Sequence, residues 1–201
     1  VKNQLDENGC DCESICNLSR RNALKLTTGI ILGIAAGIST NLRAEEENEA
    51  RPAVGDCLAD ADAEGRPVAL NINDLVIGGK PIVAYPFNPK TGVLKDGSRL
   101  NKVLLLRVAT ESISEEIIKN SADGVLAYSG VCTHKGCDIT SYNTKDNAIV
   151  CFCHFSKFQP TSGGEVLSGP APRNLPMLPI KLDNQHLVVA GEFLSKPGAT
   201  N

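Results

Sequence analysis

Two short stretches of the sequence carry most of its potential chemistry. "CTHKGC" sets Cys132 and Cys137 on either side of His134, and "CFCH" sets Cys151 and Cys153 just before His154. Thiolates and neutral imidazoles are ligands for zinc, iron and copper, whereas paired thiols in an oxidising compartment close disulfides. The two clusters therefore allow a metal site, a disulfide, or both. Two thiols and two imidazoles, Cys132 with His134 and Cys151 with His154, come from separate turns, and Cys137 and Cys153 sit just beside those four. The chain has eight cysteines and three histidines in all. His186, in "NQHLVVAG", reads as an ordinary surface histidine at a turn entering a strand.

Composition narrows the setting. A chain of 201 residues suits one domain of ordinary size with an appendage. The net charge of -3 is spread without a basic block, so the electrostatic footprint of nucleic-acid binding is missing and that class is set aside. There is no tryptophan, and Val, Ile and Leu dominate the apolar residues, a composition that favours strands over stacking platforms.

Compartment is read from the amino-terminal segment. "SRRNALK", residues 19 to 25, precedes an uncharged stretch from Leu26 to Leu42 that contains several glycines. Ser19, Arg20, Arg21, Leu24 and Lys25 resemble a bacterial twin-arginine export signal, with Ala23 where that signal usually has a bulky apolar residue. The stretch has no polar face, unlike a buried amphipathic helix. As a helix it spans about 25 Å, short of a hydrocarbon core of roughly 30 Å, and Lys25 and Arg43 can close the gap by snorkelling. The expected organisation is a cytoplasmic region over 1–25, a retained apolar anchor over 26–43, an acidic linker over 44–53 and a periplasmic domain over 54–201. Export by this route implies a protein that folds first around an inserted cofactor. Cys10, Cys12 and Cys16 would stay on the reducing side and receive no role.

The elements that must position the two clusters read as β structure. Strand-like runs occur in "AVGDCLADADAEGRPVAL", "PIVAYPF", "NKVLLLRVA", "GVLAYSG", "NAIVCFC", "LPIKL" and "HLVVAGEF", separated by Gly and Pro turns. One short helix is predicted in "SISEEIIKNSA", with Ser112 and Glu115 as a capping box and Ile113, Ile117 and Ile118 on one face. The fold class is all-β, an antiparallel sandwich or barrel with one helix inserted.

Within that frame, the boxes C-x-H-x-G-C from Cys132 and C-x-C-H from Cys151 resemble the Rieske family of iron–sulfur proteins, in detail over about residues 125 to 180. The resemblance implies a Rieske-type sandwich with a small cluster-binding subdomain and one [2Fe-2S] cluster per chain. Cys132 and Cys151 would hold one iron, His134 and His154 the other, and Cys137 would pair with Cys153 in a disulfide. Replacing two thiolates by histidines raises the potential from about -400 mV to between roughly -150 and +300 mV. The outward imidazole nitrogens can release protons on oxidation, so the potential should fall at high pH. A disulfide closing a loop of about 15 residues contributes on the order of 3 kcal/mol. Gly136 would let the first loop approach the cluster closely. Cys57, with the other four spent, reads as a buried apolar thiol. A four-ligand zinc site uses the same donor types, but its pairs are usually separated by two to four residues, which Cys-x-His is not. Disulfides alone would leave the histidines idle.

Departures from the family pattern bear on potential and partner. Ser156 matches a serine whose hydroxyl can bond a sulfide, and Phe158 stands where high-potential members carry tyrosine, so a middling potential is expected. "SGPAPRNLP", residues 168 to 176, resembles the proline loop of cytochrome bc Rieske subunits, with Pro170 and Pro172 shielding the cluster from water. Lys135, Phe152 and Phe155 stand where quinol-oxidising members have Leu, Pro and Gly; a lysine suits an acidic docking face better than an apolar quinone pocket. "CHFSKF" is also similar to the Rieske small subunit of arsenite oxidase. The resemblance thus implies an electron-transfer subunit without a substrate pocket of its own. It would be the iron–sulfur subunit of a quinol:cytochrome c complex with membrane cytochrome b and c partners, or the relay of a periplasmic molybdenum oxidase passing electrons to a c-type cytochrome. A free Rieske ferredoxin and a structural zinc module are the remaining readings.

Overall fold

The computed structural model describes residues 44–199. The twin-arginine motif, the apolar segment over 26–43 and Cys10, Cys12 and Cys16 lie outside the described residues. Among the described residues no helix is long and apolar enough to cross a membrane.

Among the described residues ten strands form two antiparallel sheets. The larger contains β1 (Cys57–Asp60), β2 (Ile82–Phe87), β3 (Val103–Arg107), β4 (Val125–Ser129), β9 (Ile180–Asp183) and β10 (His186–Val189), in the order β4-β3-β2-β1-β10-β9. The smaller contains β5 (Ser141–Asn143), β6 (Ala148–Cys151), β7 (Ser156–Gln159) and β8 (Glu165–Ser168), in sequence order. The architecture is the all-β one expected.

The unbroken apolar runs of β3 and β4 follow from burial on both faces of the larger sheet. Leu104, Leu106, Leu126 and Tyr128 belong to the core cluster that reaches the smaller sheet through Ile149 and Phe158. Val103, Leu105, Val125 and Ala127 belong to a second cluster with Leu58, Ile180, Leu187 and Val189, which lie across the same curled sheet. The free edge of β4 is covered by the segment before β9: Ser129 donates its N–H to Pro176 O at 2.8 Å, and Leu178 to Ala127 O at 2.9 Å. This pairing joins the two edges of the curled sheet, so its last ladder groups are satisfied.

Local readings differ in four places. The helix is a single turn, Glu115–Ile118, entered at Ser114 rather than Ser112, and no side chain caps it. Ser112 closes the preceding 3-10 turn, its hydroxyl donating to Ala109 O at 2.6 Å, so the expected capping box with Glu115 does not form. Ile113 and Ile117 are buried but Ile118 is exposed. The run "NAIVCFC" is strand only to Cys151, because residues 152–155 turn and Phe155 takes φ +60°. Residues 44–49, expected within a solvated linker, form a helical turn against the 88–97 loop, where Glu47 accepts from Asn88 Nδ2 at 2.5 Å and Thr91 Oγ1 at 3.0 Å. Cys57 is buried, and it is disulfide-bonded rather than the thiol expected.

Candidate metal centre

Two loops leave the sheets side by side. The first runs from the end of β4 to β5 and carries Cys132, His134 and Cys137; the second is the β6–β7 turn and carries Cys153 and His154. The first is a tight turn: Cys132 N donates to Cys137 O at 2.8 Å, and Gly136 N donates to Cys132 O at 3.0 Å. Gly136 sits at φ +74°, where L side chains are disfavoured, and a Cβ there would meet nothing nearer than Val131 Cγ1 at 3.9 Å. Among protein atoms the glycine is thus required by backbone conformation, not by a close approach. In the second loop Cys151 ends β6 opposite Ser156, the first residue of β7. Cys137 and Cys153 form the disulfide that joins the two loops.

Cys132 and Cys151 are the free cysteines among the described residues, and both are buried. Burial pushes the Cys132 thiol up to about 11, and the neighbouring Cys151 acts in the same direction. The His134 backbone and the Ser156 hydroxyl oppose that rise. The Ser156 oxygen, itself buried, has no partner within hydrogen-bond geometry. The buried Cys132 thiol is by itself a poor anion; a bound metal would reverse that, because it deprotonates a coordinating thiol outright. The imidazoles of His134 and His154 meet edge to face with centroids 4.7 Å apart. His134 is half-buried with Nδ1 turned away from solvent and unpartnered, while His154 is exposed. Burial holds His134 below the usual histidine range, with His154 and Lys135 adding to the shift, so the ring is neutral and able to ligate. Two buried thiols, an orphaned imidazole nitrogen and an orphaned hydroxyl at one place fit an iron–sulfur cluster bound by Cys132, Cys151, His134 and His154. The sulfurs of Cys137, Cys151 and Cys153 also lie within 4.8 Å of one another, but two of them are committed to the disulfide.

The surroundings refine the expected roles. Phe158 is fully buried and follows Ser156 at the next inward position of β7. Pro170 and Pro172 are both exposed, and Ala171 between them is the buried member of that segment, in the same core cluster as Cys132 and Cys151. Lys135 is exposed. So are Phe152 and Phe155, each at 65%, which makes the tip around His154 apolar. His186 lies half-buried on β10 in the other sheet, not on the surface and not at this centre. Two residues that matter were not singled out from sequence. Thr133 is buried and its hydroxyl donates to Arg173 O at 2.8 Å, tying the first loop to the 168–176 segment. Gly169 sits at φ +91°, and a Cβ there would lie 2.5 Å from Ser156 Cα and 2.9 Å from Phe155 O. The Ser-Gly-Pro spelling signals a turn at Gly169, but nothing local signals what it touches.

Residues 97–179 match the Rieske [2Fe-2S] domain. The chain is 30% identical over 184 residues to the "Putative respiratory nitrate reductase subunit Rieske" of Haloferax mediterranei, covering 88% of this chain and 79% of that protein. It is 36% identical over 104 residues to the "Cytochrome bc1 complex Rieske iron-sulfur subunit" of Corynebacterium glutamicum, covering 49% of this chain and 26% of that protein, so the match spans about a quarter of that relative's length. Among solved structures the chain is matched to the ferredoxin of carbazole 1,9a-dioxygenase from Nocardioides aromaticivorans IC177, with TM-score 0.42, 18% identity, and coverage of 62% of this chain and 95% of that one.

Proposed function

This chain belongs to the Rieske [2Fe-2S] family, and from that premise we propose that it is the iron–sulfur subunit of a periplasm-facing respiratory complex of the quinol:cytochrome c type. Membership carries the coarser part: the chain is an iron–sulfur electron-transfer subunit with one [2Fe-2S] cluster. The cluster supplies a one-electron couple whose potential is raised by imidazole ligation. Cys132 and Cys151 would hold one iron from the buried side, and His134 and His154 the other from the surface side. The Cys137–Cys153 disulfide joins the ligand loops, Ser156 and Phe158 tune the potential, and the Pro170–Pro172 segment covers the site.

The observation that carries this reading is the gradient across the centre: two buried thiols, then two imidazoles in edge contact, then solvent. A partner touching His154 is therefore separated from the centre by one ring. The proline-containing 168–176 segment favours this reading, while the exposed Phe155 beside His154 belongs, with Lys135, to a second. The twin-arginine resemblance supports export and an amino-terminal anchor on the periplasmic side of the inner membrane.

A second reading is a relay for a molybdenum or other catalytic subunit. It is favoured by exposed Lys135 and by the relative named as the Rieske subunit of a respiratory nitrate reductase. Purification from gently solubilised membranes, with EPR of the reduced sample, decides among the possibilities. A co-purifying cytochrome b supports the first reading, and a molybdenum subunit the second. A colourless, EPR-silent protein carrying zinc would end both.

A further inference from the structure

The first ligand loop is bonded at both ends, and at its middle, to one short segment, residues 99–102, the 3-10 turn that leads into β3 of the larger sheet. At the entrance, Gly130 N donates to Lys102 O at 2.7 Å, and a Cβ on Gly130 would lie 2.6 Å from Lys102 Cγ, so the lysine stem crosses directly over the glycine. At the exit, Asp138 accepts from Arg99 Nη2 and from Lys102 Nζ, one on each carboxylate oxygen, both at 2.5 Å. The same Arg99 nitrogen donates to Gly136 O at 2.9 Å, the carbonyl that lies two residues after His134. Ile139 N donates back to Gly130 O at 2.8 Å, which closes the neck of the loop.

Exposed ion pairs taken singly contribute little. This arrangement differs in that one guanidinium joins a carboxylate and a backbone carbonyl of the same loop, and the second cation has a side chain only 16% exposed. Lys102 and Arg99 together hold the Asp138 carboxyl below its usual range, outweighing the opposite effect of burial.

We propose that Arg99, acting with Asp138 and Lys102, is a positioning residue that fixes the His134-bearing loop to the larger sheet, independently of the disulfide that ties that loop to its neighbour. The disulfide constrains the two ligand loops relative to each other; the Arg99 contact constrains the pair relative to the body of the domain. The inference rests on the iron–sulfur reading of the site and adds to it.

The test uses the full-length, cluster-loaded protein with Arg99→Ala, Arg99→Lys, Asp138→Asn and the Arg99→Ala/Asp138→Asn double variant. Arg99→Ala is expected to speed hydrogen exchange at the Gly136 and Ile139 amides about fivefold. It should also change the EPR line shape of the reduced cluster, and Arg99→Lys should restore part of both. Because the two side chains share one contact, the double variant should exchange by less than the product of the single effects. Unchanged exchange and line shape in Arg99→Ala, with the cluster present, would overturn the positioning role alone. A parent protein that binds no iron or sulfide would overturn the underlying reading as well. If Arg99→Ala does not accumulate, Asp138→Asn, which keeps shape and removes the charge, decides on the same two readouts.

Discussion

Ser156 and Phe158 face inward from the same strand, and one offers a hydroxyl that the other lacks. The Ser156 oxygen is buried without a protein partner, which leaves it available to a sulfur of the bound cluster. Ser156→Ala should lower the midpoint potential, and Phe158→Tyr should raise it, each by about 40 mV, the one-electron equivalent of one net hydrogen bond of about 1 kcal/mol. A redox titration checks both, and equal potentials in the three proteins would remove these residues from the tuning. Lys135 is exposed beside His134, where the second reading would set an acidic partner. Lys135→Glu should slow electron transfer to that partner about tenfold at low ionic strength, with the difference shrinking as salt is added. The cysteine and histidine boxes stand out at this scale because coordination demands particular residue types at fixed spacing, and the structure brings their side chains to one place. The exposure of Phe152 and Phe155 was not, since a phenylalanine in a sequence does not say whether it packs inward.

Elements were legible where periodicity and burial agree. β3 and β4 are apolar up to their last residues, Arg107 and Ser129, because both faces are covered, and both were evident. β5, β7 and β8 were not, because they are short, and Lys157, Gln159 and Glu165 break the apolar pattern. The helix was placed too early because Ser112 ends the preceding 3-10 turn, where its hydroxyl donates to Ala109 O instead of accepting from the Glu115 N–H. Gly169 belongs to this scale, since it lets the 168–176 segment lie directly on the start of β7. Gly169→Ala combines a disallowed φ with a 2.5 Å approach to Ser156 Cα. It should destabilise the protein by about 1–3 kcal/mol in thermal unfolding and hasten loss of the cluster's visible absorbance. An unchanged melting temperature would mean that the segment shifts freely.

Across the whole molecule, the chain before β1 is anchored by a buried ion pair. Lys95 Nζ lies 2.6 Å from an Asp56 carboxylate oxygen and also donates to Arg51 O at 3.2 Å, and both side chains are nearly inaccessible. Asp56 in turn accepts from Ala53 N at 2.8 Å, and Asn101 Nδ2 donates to Ala50 O at 2.8 Å. Lys95→Ala leaves a buried carboxylate without its cation and should cost about 3–5 kcal/mol in denaturant unfolding, while Lys95→Met with Asp56→Leu should lie much closer to the parent. A single variant as stable as the parent would show that water reaches Asp56. This pairing joins residues far apart in the chain, and no local pattern announces it.

The sequence by itself determined the family and, through that resemblance, the disulfide partners, together with the all-β class, and it proposed a donor set. Ligand chemistry and burial each leave a mark in residue type and spacing. The tertiary structure alone decided which groups stand around that set: Ala171 rather than the prolines facing the core, Thr133 and Gly169 joining the covering segment to the ligand loops, and Arg99 and Lys102 holding Asp138. Those are contacts between segments distant in sequence, formed by the curl of the larger sheet and the packing of the smaller one against it. Their energetic reason, a shared neighbour in space, has no counterpart in any single stretch of chain.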